Sequence, residues 1–236
     1  MSSETRRTRL VLIRHGESNV TVGRVIGGHR TCSGLSDLGR RQSERLAERL
    51  ERTGELTADV LLTSDFERAI ETADIVRGSL GPAVAGTDVE RRHGLGEHDP
   101  GPEIDGMTFD AYVERFGSPD WTDLDAEVFP GGETVRRFHE RVTTAVDKVV
   151  EECAGRVAVV ACHGGVVDAT FRHLLGLEMT GGFELQTVNT AITEFARPAD
   201  GSRPWRVVRY NDAAHLAGLP DATERSTDDR VVAAPD

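Results

Sequence analysis

The sequence predicts an α/β fold: a three-layer α/β/α sandwich on a mostly parallel central sheet, with an irregular lid insertion. Three observations lead there. Short runs of branched apolar residues alternate with longer segments of helical periodicity, as parallel strands covered by helices do. Two of these runs, residues 10–13 and 157–161, lead into His-Gly steps at His15-Gly16 and His163-Gly164. A long stretch rich in Gly, Pro and Asp, residues 94–132, then interrupts the alternation.

The elements follow in order. Residues 9–14 form the first strand, and a Gly-rich loop covers 23–34. Ser36 or Asp37 caps a helix that carries Leu46 and Leu50 on one face and runs to about Arg52. Residues 59–63 make a second strand. Ser64 or Asp65 caps the next helix, which contains Ala69, Ala73 and Val76. A third strand is expected over 83–89. The excursion 94–132 is read as a lid with one helical patch at 109–116, because a long irregular segment in a compact domain tends to be functional. A helix follows from Glu133 to about Glu152, then the second histidine-bearing strand, then a helix from about Val166 to Leu175. Residues 191–196 and 205–210 close the sheet as a pair of strands. The organisation expected is one catalytic domain over 1–219 and a disordered acidic tail over 220–236.

Bulk composition narrows the function. The chain has 236 residues, 38% hydrophobic and 29% charged, enough for one globular core. No apolar run is long enough to span a membrane. The polar N-terminal segment with a short apolar run lacks the form of a signal peptide, so a cytoplasmic location is expected. A net charge of -12 argues against nucleic acid or an anionic membrane as partner. The three cysteines, Cys32, Cys153 and Cys162, fit no disulfide or metal pattern. Cys162 is read as a buried structural thiol. No heptad or exposed apolar stripe appears, and a homo-oligomer stays open.

In open α/β sheets ligands bind beyond the carboxyl ends of the strands. Arg14-His15-Gly16 therefore puts a cation, an imidazole and a flexible turn where such a fold does its chemistry. A neutral imidazole is a good nucleophile towards phosphorus, and neighbouring arginines keep it neutral. Arg14 is adjacent, and Arg68 falls in the first turns of a helix that follows a strand. Arginine presents a fork of donors suited to phosphate oxygens. Gly164 and Gly165 open a helix after His163 and supply unhindered N–H groups. Two arginines, two imidazoles and helix N-termini make a site for a dianion, and phosphate is the obvious one.

The chain resembles the histidine phosphatase superfamily, the phosphoglycerate mutase-like proteins, in its broad-specificity phosphatase branch. The resemblance runs from about Arg9 to Tyr210. It rests on Leu12-Ile13-Arg14-His15-Gly16-Glu17-Ser18, on Leu35-Ser36-Asp37-Leu38-Gly39-Arg40-Arg41-Gln42, and on Ser64 through Ala73. Gly131-Gly132-Glu133-Thr134 and Val159-Val160-Ala161-Cys162-His163-Gly164-Gly165 complete it. It implies a phosphohistidine on His15, with Arg14, Arg68 and His163 holding the phosphoryl group and no metal or other cofactor. It also implies a carboxylic proton donor after the third strand. Leu95-Gly96-Glu97-His98 fits that pattern and makes Glu97 the first candidate; Glu90 is the second. Many relatives place an asparagine six residues beyond the nucleophile. Thr21 stands at that position here, with Asn19 two residues earlier, and either could contact phosphate. Gly28 could offer a backbone N–H to substrate, as could Gly164 in the same family frame. Arg24 or Arg30 could reach the far end of a substrate, and Cys32 could line the pocket. His29, His93, His98, His139, His173 and His215 are read as structural, His98 being noted for its place beside Glu97.

The function expected is a metal-independent phosphatase acting on a small-molecule phosphate ester. The alternatives are a cofactor-dependent phosphoglycerate mutase and a non-catalytic phosphate-binding or protein-recognition module. A mutase must retain a bisphosphorylated acid, yet the stretch 99–130 is acidic, with Arg115 as its only basic residue. That favours hydrolysis.

Overall fold

The computed structural model describes residues 6–219. In chain order its elements are β1 (Arg7–Arg14), α1 (Asn19–Val22), α2 (Asp37–Thr53), β2 (Val60–Thr63), α3 (Glu67–Val76) and α4 (Pro82–Ala85). They continue with β3 (Glu90–Arg91), α5 (Phe109–Phe116), α6 (Val135–Glu152), β4 (Val157–Cys162), α7 (Gly164–Leu175), β5 (Ile192–Pro198) and β6 (Arg206–Asp212). The tail expected to be disordered, 220–236, lies outside the described residues.

The strands form one sheet in the order β3-β2-β4-β1-β5-β6. β3, β2, β4 and β1 are mutually parallel, whereas β5 and β6 join antiparallel. Alternation along the central strands sorts their side chains onto two faces. Leu10, Leu12, Ala158 and Val160 pack under α6 and α7 with Phe138, Val142, Val146 and Val167. Val11, Ile13, Val159 and Ala161 face α2 and α3, meeting Leu46, Leu50, Ala73 and Val76. Helix, sheet and helix thus make three layers. Each large aliphatic side chain buried this way contributes roughly 1.5–3 kcal/mol of transfer free energy. The lid packs a small core against its neighbours, in which Ile104, Tyr112, Val128 and Phe129 meet Ile26 and Val135. No helix among the described residues is long and apolar enough to cross a membrane.

Local chemistry sets the helix ends. The Ser36 hydroxyl accepts from the Gly39 N–H and starts α2, and the left-handed Gly54 ends it. Thr108 and Thr134 cap α5 and α6 in the same way. Two expectations are corrected. Residues 83–89 are not a strand: Pro82 stands at the first position of the short helix α4, and the edge strand is only Glu90–Arg91. Neither Ser64 nor Asp65 caps α3. The helix starts one or two residues later, with Phe66 before it and no side-chain cap, because Ser64 and Asp65 are turned to other partners.

Candidate active site

β1 and β4 lie side by side, with Arg14 in register with Cys162. Their carboxyl ends therefore deliver both His-Gly steps to one place. The His15 N–H donates to the Cys162 carbonyl at 2.9 Å, and the two imidazole centroids stand 5.1 Å apart. The chain after β1 runs directly against the start of α2. A Cβ on Gly16 would come within 2.4 Å of the Gly39 carbonyl oxygen, so a side chain there would displace backbone. Glu17 fixes this loop: its carboxylate accepts from the Ser36 hydroxyl at 2.7 Å, and its N–H donates to Gln42 Oε1 at 2.8 Å.

The His15 ring is 4% exposed. Its Nδ1 is 2.7 Å from the Gly16 carbonyl, which can only accept. Nδ1 therefore carries the proton, and Nε2 presents a lone pair. Arg68 Nε donates to that Nε2 at 3.1 Å. Burial, followed by the Arg68 and Arg14 charges, holds the imidazole well below its ordinary 6.5, against the opposing pull of Gly16. The site thus keeps His15 neutral at physiological pH.

Arg14 is buried, with a guanidinium N–H on the Thr187 carbonyl. Arg68 is delivered by the first turn of α3, lies 4.5 Å over the Phe66 ring, and donates to Cys32 Sγ at 3.3 Å. His163 precedes α7 and is fully buried. Its Nε2 meets the Ser64 hydroxyl at 2.7 Å, and its Nδ1 has no hydrogen-bond partner among the described residues. Burial, then Arg68, also holds this ring well below 6.5. Burial pushes the Cys162 thiol up, as its reading as a core residue requires.

The structure separates the two carboxyl candidates. Glu97 lines the same cavity as Arg14, His15 and Arg68. Its Oε2 accepts from the Gly165 N–H at 3.1 Å, at the N-terminus of α7, and Oε1 from the His98 N–H at 3.1 Å. Glu90 sits exposed on the edge strand, paired with Arg92 at 2.6 Å, and does not line the cavity. Among the remaining expected contacts, Thr21 and Gly164 line the cavity. Asn19 does not: it is exposed, and its amide donates to the Ser33 carbonyl at 3.2 Å. The Gly28 N–H is taken by Asp105 Oδ1 at 2.9 Å. Arg30 is likewise tied to Asp105, through its own N–H at 2.8 Å and through its guanidinium. Arg24 reaches the cavity wall, whereas Cys32 stays behind Arg68.

Several participants carried no sequence signal as site residues. Ser64 stood out only as a helix cap and as the start of the block 64–73, with no role at the site. Thr187 and Asn189 come from the loop before β5, where Asn189 Nδ2 donates to the His15 carbonyl at 2.9 Å. Their partners lie 173 and 174 residues away in sequence, so no local spacing reveals them.

The cavity has a volume of about 800 Å³ and extends from His15 to the lid and the loop 179–187. One wall is apolar, with Val20, Ile26, Phe109, Trp121 and Phe129. Another is the loop 179–187, which Arg172 braces by donating to the carbonyls of Glu178, Gly181 and Phe183. His98 also faces the cavity, and burial pushes its imidazole down to about 4. One grouping with a metal-type donor set, His29, Asp65 and His93, lies outside the cavity lining.

The chain matches known proteins along nearly its whole length. The model of the histidine phosphatase superfamily (branch 1) matches residues 10–213. Phosphoglycerate mutase-like protein 4 of Arabidopsis thaliana is 30% identical over 218 residues, covering 91% of this chain and 90% of that protein. An acid phosphatase of Mycobacterium tuberculosis is 31% identical over 195 residues, covering 80% and 88%. The solved structure of a mycobacterial glucosyl-3-phosphoglycerate phosphatase in complex with VO3 superposes with a TM-score of 0.69 at 25% identity, covering 86% of this chain and 99% of that one. With the family model covering nearly all of the described chain and a relative 30% identical over 91% of it, the chain belongs to the histidine phosphatase superfamily, branch 1.

Proposed function

We propose that this chain is a phosphatase that hydrolyses a small phosphate monoester through a phosphohistidine on His15. One observation carries the reading: the His15 ring is buried and neutral, with its Nε2 lone pair facing Arg68 and the charges of both Arg68 and Arg14 acting on the ring. That is the state a nitrogen nucleophile needs beside an anionic phosphoryl group.

Nε2 attacks phosphorus as the bond to the leaving oxygen breaks, and protonated Glu97 gives that oxygen its proton. The Glu97 carboxylate then takes a proton from water. The water oxygen attacks phosphorus, the N–P bond breaks, and neutral His15 and phosphate result. Arg14 and Arg68 neutralise the equatorial oxygens, which is the larger part of catalysis in phosphoryl transfer. With Ser64 donating to Nε2, His163 offers Nδ1–H to the same oxygens. The Gly164 amide and Thr21 complete the pocket. These cations meet the charge of the phosphoryl group, so the reaction runs without a metal.

The acidic lid supports hydrolysis over mutase chemistry. Its one basic residue, Arg115, lies 4.8 Å over Phe116 and does not line the cavity. The apolar wall favours an ester with a substantial apolar part. All three cysteines are free, in keeping with a cytoplasmic setting.

The test is phosphate release from p-nitrophenyl phosphate, expected to persist in EDTA, with an acid-labile, alkali-stable phosphoenzyme. His15→Ala abolishes both. Full activity in that variant overturns the reading. Glu97→Gln is expected to accumulate phosphohistidine while turnover fails, and Glu90→Gln to behave as wild type. Primer-stimulated interconversion of phosphoglycerates would establish the mutase instead.

A further inference from the structure

His29, Asp65 and His93 come together behind the active site from three separate segments: the loop after α1, the turn between β2 and α3, and the turn after β3. One donor atom from each lies within 4.8 Å of the other two. His93 Nδ1 is 2.7 Å from Asp65 Oδ2. His29 Nε2 is 3.8 Å from Asp65 Oδ1. The second distance is too long for a hydrogen bond. Asp65 Oδ1 is nonetheless buried, and it has no hydrogen-bond partner among the described residues. A buried carboxylate oxygen without a donor is costly, so its place calls for a ligand.

The spacing suits one. Two ligands about 2.1 Å from a tetrahedral ion stand roughly 3.4 Å apart, close to the separation of His29 Nε2 from Asp65 Oδ1. The small adjustments needed are available. The His93 side chain is 72% exposed and that of His29 39%, so both rings can move. The two rings already stack with centroids 5.4 Å apart, and His29 rests on Phe66 at 3.9 Å. The donor set selects the metal: two imidazoles and one carboxylate suit Zn²⁺ or a similar transition ion, not the all-oxygen shells of Mg²⁺ or Ca²⁺.

We propose that His29, Asp65 and His93 form a binding site for a divalent transition-metal ion. His29 Nε2, Asp65 Oδ1 and one ring nitrogen of His93 are the ligands, and water completes the shell. Coordination through His93 Nδ1 replaces the proton between that ring and Asp65, which passes to solvent. The sequence hides the site, since its ligands lie 36 and 28 residues apart and show no motif. The place of Asp65 gives the site a bearing on the pocket. Its neighbours Ser64 and Phe66 both touch His163, by the hydrogen bond of 2.7 Å and a ring contact at 5.0 Å.

The test is calorimetric titration of the full chain with Zn²⁺ in phosphate-free buffer. Wild type is expected to bind one ion per chain. His93→Ala and Asp65→Asn each weaken binding by at least about 10-fold, the least that loss of even an outer-shell partner costs. His15→Ala leaves binding unchanged. Circular dichroism checks that each variant is folded, and the exposed His93 makes its variant the decisive one. The proposal fails if wild type shows no saturable binding, or if His93→Ala binds as wild type does. It fails equally if the affinity disappears in His15→Ala, which would place the ion at the active site.

Discussion

Gly165→Ala probes the geometry of the proposed proton donor without touching a charged group. A Cβ on Gly165 would stand 2.3 Å from Glu97 Oε1 and 3.0 Å from Phe138 Cζ. Ordinary contact begins near 3.4 Å, so the carboxylate must retreat by about 1 Å. That retreat breaks its 3.1 Å hydrogen bond from the Gly165 N–H. Stability should hardly change. The obstructing atom ends a flexible side chain, and alanine within α7 is favoured over glycine by roughly 0.5–1 kcal/mol. A melting shift of no more than about 4 °C is expected for a domain of this size. Activity should suffer much more, since a misplacement of about 1 Å can cost ~100-fold in rate. The assay is steady-state hydrolysis of an alkyl phosphate and of dinitrophenyl phosphate. The alkoxide must be protonated to leave, whereas the dinitrophenolate need not be. In kcat/KM, which reports the steps through phosphorylation of His15, the alkyl ester should therefore lose about 100-fold and the activated ester much less. An unchanged kcat/KM for the alkyl ester, or equal losses of kcat/KM on both esters, refutes the placement of Glu97 as proton donor.

Arg68→Met removes one of the two cations that hold the His15 ring neutral, so the His15 pKa rises. The acid limb of kcat/KM should move to higher pH, with a loss of about 10²–10³ in kcat/KM; an NMR titration in which His15 does not move contradicts this. The buried histidines also fix the acid stability. Burial pushes His98, His139 and His215 down to about 4, while the unfolded chain takes up their protons near 6.5. Their contribution is complete above about pH 6.5 and is lost as pH falls towards 4. His98 alone accounts for about 1.4 kcal/mol per pH unit in that window. Urea unfolding from pH 7 to 4 should show this slope, and His98→Phe should reduce it; stability that rises on acidification would contradict the account.

The site was legible where chemistry and local pattern coincide. Strand ends announced His15 and His163, since an apolar run followed by His-Gly is a local signal. Arg68 was readable because a strand-to-helix step has a fixed geometry. Glu97 and Glu90 could not be told apart by pattern alone. The choice depends on which of the two reaches the N-terminus of α7, about 68 residues on, where Glu97 meets Gly165. Asn19 and Gly28 looked able to bind phosphate, but Ser33 and Asp105 engage them. Those competitors approach from elsewhere in the chain. The short strand β3 was misplaced for a local reason, the helix-starting power of Pro82.

By itself the sequence determined the layered α/β architecture, the strand-end histidines and the acidic lid. Periodicity, capping and turn chemistry act over a few residues, and these features are written at that range. Tertiary structure decided what depends on distant segments meeting. Adjacent parallel pairing of β1 with β4 puts the two imidazoles 5.1 Å apart. Gly16 sets which nitrogen of His15 carries the proton, and burial with the charges of Arg68 and Arg14 holds the ring neutral. The loop before β5 secures Arg14 and the His15 backbone. Folding likewise gathers His29, Asp65 and His93 from three segments. Burial and electric field, which settle the state of a histidine, come from everything packed around it, so they exist only once the chain has closed on itself.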